Sequence, residues 1–279
     1  MLCYNWARIP AVGFGLEGGD NMSEREDFMR QVRVALRHPE CGGTGKGRPP
    51  GPLVEPLGGV MAPVPPEELV SKFEKELVAL AGSAHRAATP IELETVVREI
   101  LTSAGARAAV LSRHPLLGQL GLEEKLRTWG IAVSAWPAAE DSNAEAKGQQ
   151  VFREQAFAAA VGITGVDFVL AETGSLVLTS LAGGSQLASL APPVHVALYR
   201  RSQVVESLDE VLAALPVSRD PSQPSPGRSV VFISGTSRTA DIEQILVRGV
   251  HGPGHVHAIL VEDSCLAALV EDPQQTAWI

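Results

Sequence analysis

From Glu67 onward the chain alternates short apolar runs with amphipathic stretches of helical length, which restricts the fold more than any other feature of the sequence. The pattern predicts helices near 67–84 and over 90–103. Thr89, Pro90 and Glu92 announce the second: a hydroxyl cap, a proline at the first helical position and a carboxylate three residues after the cap. A strand at 106–112, a helix at 116–129 and a strand at 130–135 continue the alternation. Ser142 with Glu145 caps a helix reaching about residue 160, and strands follow at 166–171, 175–180 and 194–200. Ser207 with Glu210 caps a helix through Leu215; a strand at 229–234, a helix at 239–249 and a strand at 256–263 complete the series. Strands separated by helices connect by crossovers, so the class is α/β, with a mainly parallel sheet flanked by helices on both faces.

The N-terminal part follows other rules. Residues 1–21 lack periodicity and include Gly13, Gly15, Gly18 and Gly19, so they read as a poorly ordered upstream extension. Met22 is followed at once by a helical pattern with Ser23 and Glu26 as a capping box. Between Pro39 and Pro66 lie 8 prolines and 7 glycines in 28 positions, too many backbone breakers for a regular element. The predicted organisation is therefore an extension (1–21), an N-terminal helix with a Pro/Gly-rich arm (22–66), and a main α/β domain (67–279).

Charge and cysteine usage exclude several function classes. The formal net charge is −9, and a nucleic-acid partner would call for a basic surplus. Cys3, Cys41 and Cys265 are widely separated and none sits in a CxxC pair. That removes a disulfide framework and any self-contained iron–sulfur site, and it predicts no cofactor bound by this chain and a reducing cytoplasmic location. The longest uncharged stretch, Thr173–Tyr199, is interrupted by Gly183, Gly184, Pro192, Pro193 and His195 and reads as strand, loop and strand, not as a membrane span. No secretory signal pattern is visible at the start of the sequence.

Several apparent motifs lack the context that would give them meaning. Gly13, Gly15 and Gly18 match GxGxxG without a strand before or a helix after. In GGTGKG at 42–47, Glu40 and Gly47 occupy positions where a phosphate loop needs Gly and a hydroxyl. His251, His255 and His257 lie close together without completing a ligand set. The reading is no metal, loop hydrogen bonding for His251 and solvent-facing positions for the other two. His195, inside an apolar strand, reads as a satisfied core or cleft histidine.

Two segments carry candidate chemistry. In ISGTSRTAD, 233–241, a strand leads through a Gly- and hydroxyl-rich turn into a helix starting near Thr239, with Asp241 in its first turn. Backbone N–H groups at a helix N-terminus, with the guanidinium of Arg238 beside them, suit a carboxylate or phosphate. The same residues fit a plain cap by Thr239 and a turn at Gly235. In GITGVDFVLAETGSLVLTS, 162–180, Glu172 sits between two apolar strands, beside Thr173, Gly174 and Ser175. A carboxylate there stands at the mouth of an α/β crevice, where burial favours its protonated form for base or nucleophile work; an exposed Glu on a plain turn is the alternative. Asp167, flanked by Val166 and Phe168, needs a partner if buried, with Arg238 and Thr164 as candidates.

Together with SLAPPVHVAL at 189–198 and SGTSRTADIEQILVRGVHGPGHVHAILVED at 234–263, these segments resemble the LUD domain of the lactate utilization protein C family. The resemblance covers the chain from about Met22 and is strongest from residue 162. It implies a fold of the kind shared by ribose-5-phosphate-type isomerases and CoA transferases. It also implies membership of a three-part cytosolic system that oxidises L-lactate to pyruvate, with iron–sulfur clusters on partner subunits. The family supplies no established catalytic residue, so the site rests on the residues themselves. Thr173, Gly174, Ser175, Ser234, Gly235, Thr236, Ser237, Arg238, Thr239, Asp241 and His251 are the ligand-binding candidates, with Glu172 facing Arg238 across a cleft. The expected role is a non-redox subunit that binds a small carboxylate or docks the iron–sulfur partners. The competing role is an independent isomerase or CoA-transferase-like enzyme, because Glu172 before Thr173 and Gly174 resembles the Glu–Gly turn on which CoA transferases place their nucleophile.

Overall fold

The computed structural model describes residues 64–136, 142–180, 186–215, 229–240 and 246–270, all within the second of the two compact units into which the chain divides, Met61–Ile279. The predicted extension at 1–21, the Ser23–Glu26 capping box, almost all of the Pro/Gly-rich arm, and Asp241 lie outside these residues.

The helices are α1 (Leu69–Ala79), α2 (Pro90–Ser103), α3 (Pro115–Gln119), α4 (Leu122–Thr128), α5 (Ser142–Ala158), α6 (Leu187–Leu190), α7 (Leu208–Ala214) and α8 (Asp263–Val270). The strands are β1 (Ser83–Ala87), β2 (Ala108–Leu111), β3 (Ala132–Ala135), β4 (Val161–Gly165), β5 (Phe168–Leu170) and β6 (Ser175–Thr179), followed by β7 (Val194–Tyr199), β8 (Val204–Val205), β9 (Val230–Ile233), β10 (Arg238–Ala240), β11 (Leu246–Arg248) and β12 (His255–Val261). Six strands form a wholly parallel sheet in the order β1-β12-β7-β4-β2-β3. Its inner strands β4 and β7 are buried along their whole length, as continuous apolar runs in a doubly covered sheet should be. A second sheet, β8-β5-β6-β9, is built from antiparallel pairs except for the parallel β5–β8 contact, and β10–β11 form a separate antiparallel ribbon.

Alternation along the parallel strands sends successive side chains into two cores. On one face Leu111, Ile163, Leu198, Ile259 and Val261 pack with Leu93, Val97 and Leu101 of α2 and with Leu116, Leu117, Leu122 and Leu126 of α3 and α4. On the other, Ala197, Tyr199, Ala258 and Leu260 meet Val70, Phe73 and Leu77 of α1 and the inner side of the second sheet, Val169, Leu176, Leu178 and Ile233. Phe73 meets Tyr199 edge to face, with ring centroids 5.3 Å apart.

The sequence pattern and the structure part in several places. The first helix stops at Ala79 rather than near residue 84. Gly82 N–H closes the helix end on the Leu77 carbonyl (2.9 Å), and Ala81 takes φ 61°, freeing SAHRA to become β1. The segment predicted as one helix over 116–129 divides at Gly121, φ 59°, into α3 and α4. The apolar run from Val161 is two strands rather than one beginning at Val166: β4 belongs to the parallel sheet, and after Val166 and Asp167 the chain enters the second sheet as β5. The helix predicted over 239–249 is not formed, because Arg238–Ala240 and Leu246–Arg248 are strands of one hairpin. The Thr89 cap is as expected, its hydroxyl accepting from Glu92 N–H at 3.2 Å, whereas Ser207 precedes α7 without a side-chain cap.

Candidate functional site

The β5–β6 turn and the end of β9 are neighbours because β6 and β9 pair, Leu176 opposite Ile233. That pairing brings together three of the hydroxyls singled out in the sequence. Thr173 Oγ1 lies 2.7 Å from Ser175 Oγ, which lies 2.6 Å from Ser234 Oγ. Gly174 and Gly235 set this layer against the C-terminal end of α1. Both have positive φ, 63° and 76°. A Cβ on Gly174 would sit 2.4 Å from the Leu77 nitrogen, and one on Gly235 2.4 Å from the Leu80 carbonyl oxygen, so only glycine fits at either position. Thr236 is buried beside them, its N–H directed at the same Leu80 carbonyl at 3.5 Å. The three hydroxyls of this joint are bonded to one another, with Ser175 buried and Thr173 and Ser234 exposed.

Beyond it the chain enters the ribbon. Ser237 N–H donates to the Pro253 carbonyl (2.9 Å), and Gly249 N–H returns to the Ser237 carbonyl (3.0 Å). These bonds seat the GVHGP turn on the SGTSR turn. The hairpin register places Arg238 directly opposite Arg248, so both side chains leave the same face of a two-stranded ribbon. Both residues are exposed, and neither has a carboxylate partner among the described residues. Arg238 Nε is directed at Thr236 Oγ1, 3.5 Å away. Thr239, opposite Val247, is half-buried.

The residues expected to form an anion site are therefore arranged differently from the expectation. The helix N-terminus on which it rested is absent; in its place two guanidiniums face each other across a hairpin. Arg248, which the sequence reading passed over, supplies half of the charge. The signal that could have found it is the short apolar, β-branched run ILVR ending at a glycine that takes φ 78°. Glu172 does not join this group. It is exposed, and its N–H donates to the Glu206 carbonyl (3.0 Å), on the β8 edge of the second sheet, whereas Ser234 and Arg238 continue from the β9 edge. No contact links Glu172 to Arg238 among the described residues, so the picture of two opposed charges across a cleft, with Glu172 desolvated, is replaced by an exposed carboxylate on a hairpin turn. His251 is also exposed, in the turn before β12.

The other titratable groups correct further details. Asp167 takes neither Arg238 nor Thr164 as partner: its carboxylate accepts from Thr179 N–H at 2.6 Å. Thr164 is instead 2.9 Å from Nε2 of His195, a fully buried ring whose pKa burial pulls down to about 3. His255 is solvent-facing as expected. His257 is not, because it turns inward, its Nδ1 3.1 Å from Nε2 of His85 with the rings stacked. Burial, with the neighbouring His85 and His255 rings adding to it, lowers the pKa of His257 to about 4. No group of three or more His, Cys, Asp or Glu side chains among the described residues is arranged to hold a metal ion, and no helix among them is long and apolar enough to cross a membrane.

Comparison with known proteins gives this arrangement a family. The LUD domain model matches residues 70–261, which contain both turns, the ribbon and all six strands of the parallel sheet. Lactate utilization protein C of Halalkalibacterium halodurans is 29% identical over 249 residues, covering 87% of this chain and 99% of that protein. The protein of the same name from Shouchella clausii is 30% identical over 242 residues, covering 87% and 99%. Among solved structures, a DUF162 family protein from Deinococcus radiodurans is similar with a TM-score of 0.47 at 21% identity, over 71% of this chain and 99% of that one. With a match that spans the parallel sheet from α1 to the end of β12, the chain belongs to the LUD domain family.

Proposed function

We propose that this chain is a non-redox component of a lactate utilization system and that the Arg238–Arg248 ribbon is where it takes hold of a small carboxylate. The name carried by its relatives, lactate utilization protein C, supports the pathway. One observation carries the site: two like charges directly opposite on an exposed ribbon repel, and an anion between them removes that cost. A guanidinium presents a planar fork matched to a carboxylate, and two of them hold a three-carbon acid without burying it. The chain supplies no cysteine cluster for an electron-transfer centre, so oxidation of the acid belongs to separate iron–sulfur polypeptides that this chain accompanies.

Calorimetry with L-lactate and pyruvate tests the reading. Saturable heat with either acid, lost in Arg238→Ala and Arg248→Ala while both variants keep the wild-type melting profile, is the expected result. Absence of heat with both acids, or heat that persists in the double variant, ends it. Co-purification from a lactate-grown host should recover an iron–sulfur polypeptide with the intact chain.

A further inference from the structure

The order of the parallel sheet contains a reversal that the ribbon does not use. The chain runs from β2 outward to the edge strand β3 and then returns to β4 on the opposite side of β2. Where strand order reverses, the connections leave the carboxyl ends of adjacent strands in opposite directions and open a crevice, the usual ligand position in open α/β sheets. In this molecule a cleft of about 1120 Å3 lies at that end of the sheet, bordered by the residues that follow β2. Leu269 gives it apolar surface, with Leu117 and Leu122 behind it in the core, and Arg113, His114, Glu123 and Glu124 give it polar surface.

Both polar side chains are held in place. Arg113 Nε donates to the Trp136 carbonyl at the end of β3, which directs the guanidinium across the gap between β2 and β3. Its terminal nitrogens have no partner among the described residues. Lys125 and Arg127, also at the cleft, are already paired with Glu94 and Glu123. The His114 ring packs against Gly165 at the end of β4; a Cβ there would come within 2.1 Å of Nδ1, so the glycine is what admits the imidazole. Leu116 N–H donates to His114 Nδ1 (3.3 Å), which leaves the ring proton on Nε2 in the neutral form. Burial holds this imidazole below its ordinary pKa, partly offset by the Asp167 carboxylate, so it is a neutral hydrogen-bond donor at physiological pH.

We infer that this cleft binds an organic anion of cofactor size, its carboxylate or phosphate end on Arg113, an oxygen near His114, and its body toward Leu269. The volume is that of sites for drug- or cofactor-sized molecules, far beyond a three-carbon acid, so the ligand differs from the one assigned to the ribbon. A single planar guanidinium set beside a neutral donor takes one carboxylate or phosphate end, and Glu123 and Glu124 at the cleft disfavour an extended polyanion.

The test uses the full chain with isotope-labelled histidine, the His114 resonance assigned through His114→Gln, and two probes: octanoate for the carboxylate source and AMP for the phosphate source. A saturable shift of the His114 imidazole signal with one probe, weakened about tenfold or more in Arg113→Ala, is the expected result. Arg113 is exposed, so its truncation leaves the fold in place, which a melting curve verifies. Arg238→Ala keeps the response, so failure at the ribbon and failure at this cleft are separately visible. The inference is overturned if neither probe moves the His114 signal, or if Arg113→Ala binds as well as the parent.

Discussion

The joint at 173–175 and 234–236 leads through Ser237 into the ribbon strands Arg238–Ala240 and Leu246–Arg248, yet the two treat their polar groups in opposite ways. At the joint, hydroxyls bond to one another and glycines bring backbone against backbone. On the ribbon, two guanidiniums stand in register at the surface. A Gly- and hydroxyl-rich turn is therefore as much a device for close packing as for binding. What separates the two uses is whether polar groups are left over once the fold has taken its share.

Acid should separate the two regions most sharply. The interior does not tolerate protonation: His195 titrates near pH 3 when folded against 6.5 when free, so its unfolded form binds the proton first. Stability from this residue is complete above about pH 6.5 and is lost as pH falls toward 3, by roughly 4–5 kcal/mol at 1.36 kcal/mol per unit. Urea titrations between pH 7 and pH 4 should show that slope, and His195→Gln should flatten it. An unchanged slope in the variant would assign the acid limb to other groups, His257 first among them.

Next in size, Gly235→Ala pushes a methyl group into the Leu80 carbonyl and forces a side chain into positive φ, costing about 2–4 kcal/mol in a thermal melt. If the variant melts like the parent, the joint is looser than described. Ser175→Ala removes the buried central hydroxyl of the Thr173–Ser175–Ser234 chain and should cost about 1 kcal/mol. The smallest effect has the opposite sign. Arg248→Glu turns a repulsive cross-strand pair into an attractive one and should raise stability by about 0.5 kcal/mol while abolishing binding of L-lactate and pyruvate. A loss of stability there would mean that the two guanidiniums do not face each other.

Much of this architecture is legible in the sequence where local signals and tertiary partners agree. Thr89, Pro90 and Glu92 mark α2 to the residue, and the apolar runs at β2, β7 and β12 are strands as their patterning says. The failures share a cause. SAHRA has little strand character of its own and becomes β1 because β12, far along the chain, offers five paired positions. TADIEQILVRG satisfies helical spacing, but a segment that short obtains most of its stability from what it packs on, and its ends pair as a hairpin seated on the GVHGP turn. His114 was invisible as a site residue for a related reason: what gives it meaning is Gly165, on a strand that lies beside β2 only once the sheet is ordered.

The pairing of β1 with β12 also sets a schedule for biosynthesis. Ser83 finds its position opposite His257, and 174 residues separate them. At ribosomal speeds of about 5–20 residues per second, the first parallel strand emerges roughly 9–35 seconds before its only neighbour in the sheet exists. The composition of Ser83–Ala87 suits that wait, since serine, histidine and arginine interrupt its alanines and give a stranded segment little reason to aggregate. Closure of the sheet is thus a late event in which the newest strand inserts between two older ones, β1 and β7.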